Sequence, residues 1–146
     1  MKEAMRVSAL LLLLPSLVSL PGCGAAPKIA DKAVAVVDLV EVPLPPGATA
    51  LRAARQAGLD ELQLLTFSAP EDAARRWAAR VLGTPPQPGR DPGLLYLGED
   101  VSWWPRTMPP GAEGGEVRRP DNRVVKLLLA PAPGRPTRVF VAAFSQ

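Results

Sequence analysis

The stretch "RVVKLLLAPAPGRPTRVFVAAFS" (Arg123–Ser145) decides the fold. Two runs of aliphatic and β-branched residues flank "PAPGRP" (131–136), whose prolines and glycine are turn formers. "VVKLLLA" and "RVFVAAF" therefore read as antiparallel neighbours at the centre of a sheet. A period of two puts Val139, Val141 and Ala143 on one face, and Phe140, Ala142 and Phe144 on the other.

Working outward, "EVRRPDNRVVKLLLA" reads as two strands joined across Asp121-Asn122, with Pro-Asp-Asn supplying the turn. "ELQLLTFSA" (Glu61–Ala69) is a clear strand, "AVAVVDLVEV" (Ala33–Val42) an edge or lead-in strand stopped by Pro43, and "LLYLG" (Leu94–Gly98) a short one. "TALRAARQAG" (Thr49–Gly58) is two-sided. Its alanines and arginines favour helix, while the alternation of Thr49, Leu51, Ala53 and Arg55 favours a hairpin strand, which is the reading preferred here. "TPPQPGRDPG" is a loop and "EDVSWWPRTMPPGAEGG" is mostly irregular.

One helix stands out in "SAPEDAARRWAARVLG" (Ser68–Gly83). Ser68 and Glu71 have capping-box spacing, and Pro70 sits in the first turn, where its missing N–H costs nothing. Acids lead, arginines follow, and Glu71–Arg75 and Asp72–Arg76 are spaced i,i+4. Ala74, Trp77, Ala78 and Val81 form one apolar stripe, with Gly83 as the stop. Such a stripe needs a sheet to lie on. The expected fold class is α+β: an antiparallel sheet with one principal helix packed on one face through Trp77, in a single domain over residues 33–146.

The N-terminus is of a different kind. Lys2 and Arg6 precede an uncharged run from Val7 to Leu20, and small residues follow. That pattern is a secretory signal. As helix the 14-residue run would measure about 21 Å, short of the ~30 Å hydrocarbon core, and Pro15, Pro21 and Gly22 interrupt or end it. Its end, Leu20-Pro21-Gly22-Cys23, resembles the lipobox of bacterial lipoproteins, with Pro21 where a small or aliphatic residue is usual. The resemblance implies that residues 1–22 are removed, that Cys23 receives a diacylglyceryl group on sulfur, and that its new amino terminus is acylated. Residues 23–32 would then be a lipid-anchored tether. Gly24, in place of the aspartate that resembles an inner-membrane retention signal, implies the periplasmic face of the outer membrane if the cell is diderm. The competing reading is ordinary signal cleavage after Ala26, which discards Cys23 and yields a soluble secreted protein.

Without residues 1–22 the chain keeps 124 residues, enough for one domain with a real core. Fifteen basic and thirteen acidic residues leave a net +2, too balanced for a nucleic-acid binder. Histidine is absent and Cys23 is the only cysteine. That removes Ser–His and Cys–His nucleophile pairs, the common zinc sites and disulfides. No cofactor or metal is implied, and Gly111, Gly114 and Gly115 fit no phosphate-binding spacing. Sixteen prolines, about 13% of the mature chain against a usual ~5%, cluster between apolar segments, as in a folded domain with rigid loops.

The candidate sites are few. Trp103 and Trp104 point to opposite sides if the backbone is extended, so at most one readily enters the core; either one of them covers a sheet edge, or a ring is exposed for a protein, a glycan or the membrane interface. Arg118, Arg119 and Arg123, with Lys126 and, across the hairpin, Arg135 and Arg138, could form an anionic-ligand patch. Glu99 and Asp100 are the carboxylates an envelope enzyme would use. The mature segment loosely resembles uncharacterised bacterial lipoprotein domains over about 100 residues. The likeness rests on "LPPGAT", "FSAPEDAARRW", the Trp-Pro element and the final hairpin, and implies a fold but no activity. The expectation is a non-catalytic binding or scaffolding lipoprotein of the bacterial cell envelope, held to the membrane through lipidated Cys23. Its partner contacts would be Trp103, Trp104, Arg118, Arg119 and Arg123.

Overall fold

The computed structural model describes residues 38–56 and 61–145. The signal, the Cys23 tether, the first part of the 33–42 strand and the turn after Gly58 lie outside the described residues. Six strands form one antiparallel sheet: β1 (Thr49–Gln56), β2 (Leu62–Ala69), β3 (Gln87–Pro88), β4 (Glu113–Arg118), β5 (Arg123–Ala132) and β6 (Arg135–Ser145). Their order is β1-β2-β6-β5-β4-β3, so β6 runs through the middle between β2 and β5.

The central hairpin forms as its sequence dictates. Pro133 and Gly134, the latter at φ 68°, turn β5 into β6 with Ala132 opposite Arg135. Asn122, at φ 64°, closes the β4–β5 turn, and Asp121 Oδ1 accepts from the Arg123 backbone N–H at 3.1 Å. Residues 49–56 are a strand, paired with β2 around a bulge near Ala50.

The expected two-sidedness of β6 holds. On one face Val139, Val141 and Ala143 join Leu65, Phe67, Leu127 and Leu129 beneath the helix Glu71–Leu82. Trp77 is fully buried there, edge-on to Phe67 with centroids 5.0 Å apart. On the other face Phe140 and Ala142 join Leu64 and Leu128, and their cover is the irregular segment 90–112. Leu94 and Trp104 are its buried anchors. Trp104 stands edge-on to Phe140 at 5.6 Å and donates its indole N–H to the Leu94 carbonyl at 3.0 Å.

The α+β class is therefore corrected. Among the described residues about 43% are strand and 14% helical, in two short helices, so the fold is mainly β. One helix covers one face, and a loop does for the other face what a second helical layer would do in an α+β fold.

Three local expectations are corrected with it. Residues 38–40 are helical rather than strand. Leu39 and Val40 are both buried, which an alternating strand on one face would not allow, and Glu41 at φ 60° ends the turn. Leu94–Gly98 is a turn, not a strand. Asp91 Oδ1 accepts from the Gly93 and Leu94 N–H groups, and the Leu97 N–H returns to the Leu94 carbonyl. The capping box is absent because Ser68 belongs to β2, paired with Thr49 and Arg138. Pro70 takes the N-cap position without a side-chain bond.

Candidate functional site

The arginines expected to meet a partner are largely engaged within the fold. Arg119 Nη2 donates to the Val40 carbonyl at 3.1 Å and to the Val81 carbonyl at 2.9 Å. Arg123 Nη1 donates to the Asp38 and Leu39 carbonyls at 3.0 Å each, while its Nη2 meets Asp121 at 2.8 Å. Carbonyls at helix ends lack intrahelical partners, and a guanidinium at that negative pole is favoured. The two arginines thus cap the helical turn at 38–40, and Arg119 ties it to the end of the 71–82 helix. A third tie comes from Trp77, whose indole N–H donates to the Pro43 carbonyl at 2.8 Å. Residues 38–44 form a strap fastened to the domain by three side chains. Arg118 is exposed on β4 and is engaged as well.

Trp104 is core, not contact surface, and Trp103 is half-buried against it with ring centroids 5.7 Å apart. Glu99 and Asp100 sit exposed on a turn closed by the Val101 N–H to the Gly98 carbonyl. Lys126, on the loop-covered face, donates to the Pro92 carbonyl and lies 3.3 Å from Glu116, pinning segment 90–112 to β5. Arg75 bridges two elements, meeting Glu71 at 2.6 Å and Glu113 at 2.7 Å. The hydrogen bond that Arg75 donates to the Glu113 carboxylate raises the Arg75 pKa above its ordinary value, against the opposing effect of desolvation.

Two concavities lie at opposite ends of β6. One, of about 370 Å³, is lined by Asp38, Glu61, Arg123 and Ser145, beside the point where the strap begins. The other is a groove of about 700 Å³ whose walls are Pro70, Pro110, Pro131, Pro133 and Pro136, with Glu71 and Arg135 also lining it. Eleven strand residues separate them, about 35 Å at the usual rise. The proline clusters were visible in the sequence, but their convergence was not: it brings together the start of the helix, the entry to β4 and the tip of the β5–β6 hairpin. Next to the groove, Thr137 lines a slit with Glu71, Arg75 and Pro131, and its buried hydroxyl has no hydrogen-bond partner among the described residues.

Among the described residues no group of three or more Cys, Asp or Glu is placed to hold a metal ion, and no helix is long and apolar enough to cross a membrane. No family model, curated protein or solved structure matches this chain.

Proposed function

We propose that the chain is a lipid-anchored extracytoplasmic binding module of the bacterial cell envelope, attached through acylated Cys23. The observation that carries this reading is Leu20-Pro21-Gly22-Cys23 at the end of a basic-then-apolar leader, with the chain's only cysteine at the processing position. Two acyl chains hold a protein firmly, since each buried methylene contributes about 0.8 kcal/mol.

The strap gives such an anchor a defined attachment point. Residues 24–37 separate Cys23 from Asp38, and that length of chain reaches at most about 50 Å when fully extended. From Asp38 onward the backbone is fastened to the sheet and helix by Arg123, Arg119 and Trp77. The lipid would thus keep the domain within one tether length of the bilayer, on the periplasmic side of the outer membrane in a diderm cell. The test is metabolic labelling with radioactive palmitate. Label is expected in the intact chain and lost in Cys23→Ser; label that persists in the variant removes the anchor.

A further inference from the structure

Two exposed features of this molecule complement each other. The first is the proline groove. A proline ring offers a rigid aliphatic face and no backbone N–H, so these walls suit the flat side of an aromatic ring better than an added β-strand. The volume of about 700 Å³ lies within the range of small-ligand sites. Its unpaired charge is the guanidinium of Arg135, and Arg138 lies three residues further along β6, outside the lining. Both are exposed and have no ion-pair partner among the described residues, whereas Glu71 is paired at 2.6 Å with Arg75, which it shares with Glu113.

The second feature is the turn "YLGED" (Tyr96–Asp100) on the other face of the sheet. Tyr96 is 77% exposed, the one large hydrophobic side chain so exposed among the described residues. Glu99 and Asp100 follow it, both exposed and without an ion-pair partner among the described residues. An aromatic ring with two free carboxylates is the counterpart of a proline-walled groove that holds the Arg135 guanidinium, with that of Arg138 three residues further along β6.

We propose that the proline groove of one copy receives the Tyr96–Asp100 turn of a second copy. Tyr96 would lie against Pro131, Pro133 and Pro136, and Glu99 and Asp100 would meet Arg135 and Arg138. The two patches are different surfaces, so the contact is head-to-tail and builds chains or rings rather than a two-fold dimer. A single turn in a groove is a small interface, so association in dilute solution is weak. The inference deepens the lipoprotein reading: molecules confined to a bilayer meet at a much higher effective concentration, which makes a weak self-contact useful to a scaffold.

The test is sedimentation equilibrium of the full chain as isolated, in density-matched non-ionic detergent, which works whether or not Cys23 carries lipid. Wild type is expected to associate reversibly as its concentration rises to about 1 mM. Tyr96→Ser, the pair Glu99→Lys/Asp100→Lys, and the pair Arg135→Glu/Arg138→Glu should each weaken association at least tenfold. All five positions are exposed, so melting temperature should not move with them. The chain carrying both charge-reversed pairs should recover association to within about threefold. The acetylated and amidated peptide of residues 95–100 should compete. A monomer at all concentrations overturns the proposal, as does association that none of these variants weakens. Palmitate labelling is read separately, so an unlipidated chain that self-associates rejects the anchor alone, and a lipidated monomer rejects the groove contact alone.

Discussion

Gly98 lies directly under the indole of Trp104: a Cβ placed there would stand 2.4 Å from Trp104 Cγ. This close approach lets an irregular segment cover a sheet face. With no side chain at 98, the ring settles edge-on to Phe140, and its N–H reaches the Leu94 carbonyl.

Gly98→Ala should therefore destabilise the fold by roughly 1–3 kcal/mol through overpacking, and Trp104→Ala by about 3–5 kcal/mol through the cavity it leaves. Urea denaturation measures both. Trp103→Ala, at a half-buried ring, should cost clearly less than Trp104→Ala. Equal losses at the two tryptophans would contradict the assignment of Trp104 as the core residue.

Arg119 fastens the strap, so Arg119→Met should release it. Two charge-assisted hydrogen bonds to the Val40 and Val81 carbonyls are lost, for about 1.5–3 kcal/mol. Hydrogen exchange should quicken first in residues 39–44 and at the C-terminal turn of the helix, before β2, β5 and β6. Uniform acceleration across the sheet would argue that Arg119 is an ordinary core residue rather than a clasp.

The sheet was legible where the period is two and both faces are apolar, which is why the two faces of β6 follow from the alternation of Val139 to Ala143. The strap was not legible. Its β-branched residues favour strand, yet burial of the adjacent Leu39 and Val40 and carbonyl capping by two distant arginines override that preference. The carbonyl contacts of Arg119 and Arg123 were not legible for the same reason. A guanidinium looks alike in sequence whether its acceptor is a partner's acid or a carbonyl about 80 residues away. The loop-covered face was half legible: Trp104 was one of two rings of which at most one was expected inside, but nothing in the spacing named Leu94 or Gly98 as its companions.

Lys126 should behave as a pin for the covering segment. Lys126→Met removes the bond to the Pro92 carbonyl while leaving the aliphatic stem packed. Limited proteolysis within residues 90–112 should become several-fold faster, with a smaller change in global unfolding. Unchanged cleavage there would show that Leu94 and Trp104 hold the segment without it.

The Arg75–Glu113 pair joins the helix to β4 with Glu113 only 15% exposed and Arg75 43% exposed. A double-mutant cycle with Arg75→Ala and Glu113→Ala should return a coupling of about 0.5–1 kcal/mol, falling as salt is raised. Coupling that is absent at low salt would reduce the pair to a surface contact without energetic weight.

The most direct measurement is the mass of the mature amino-terminal peptide isolated from a bacterial host that processes lipoproteins. The account requires that peptide to begin at Cys23 and to carry the added mass of a diacylglyceryl group, and an N-acyl chain where the host supplies one. A peptide that begins at Pro27, or a Cys23 with a free thiol, would contradict it.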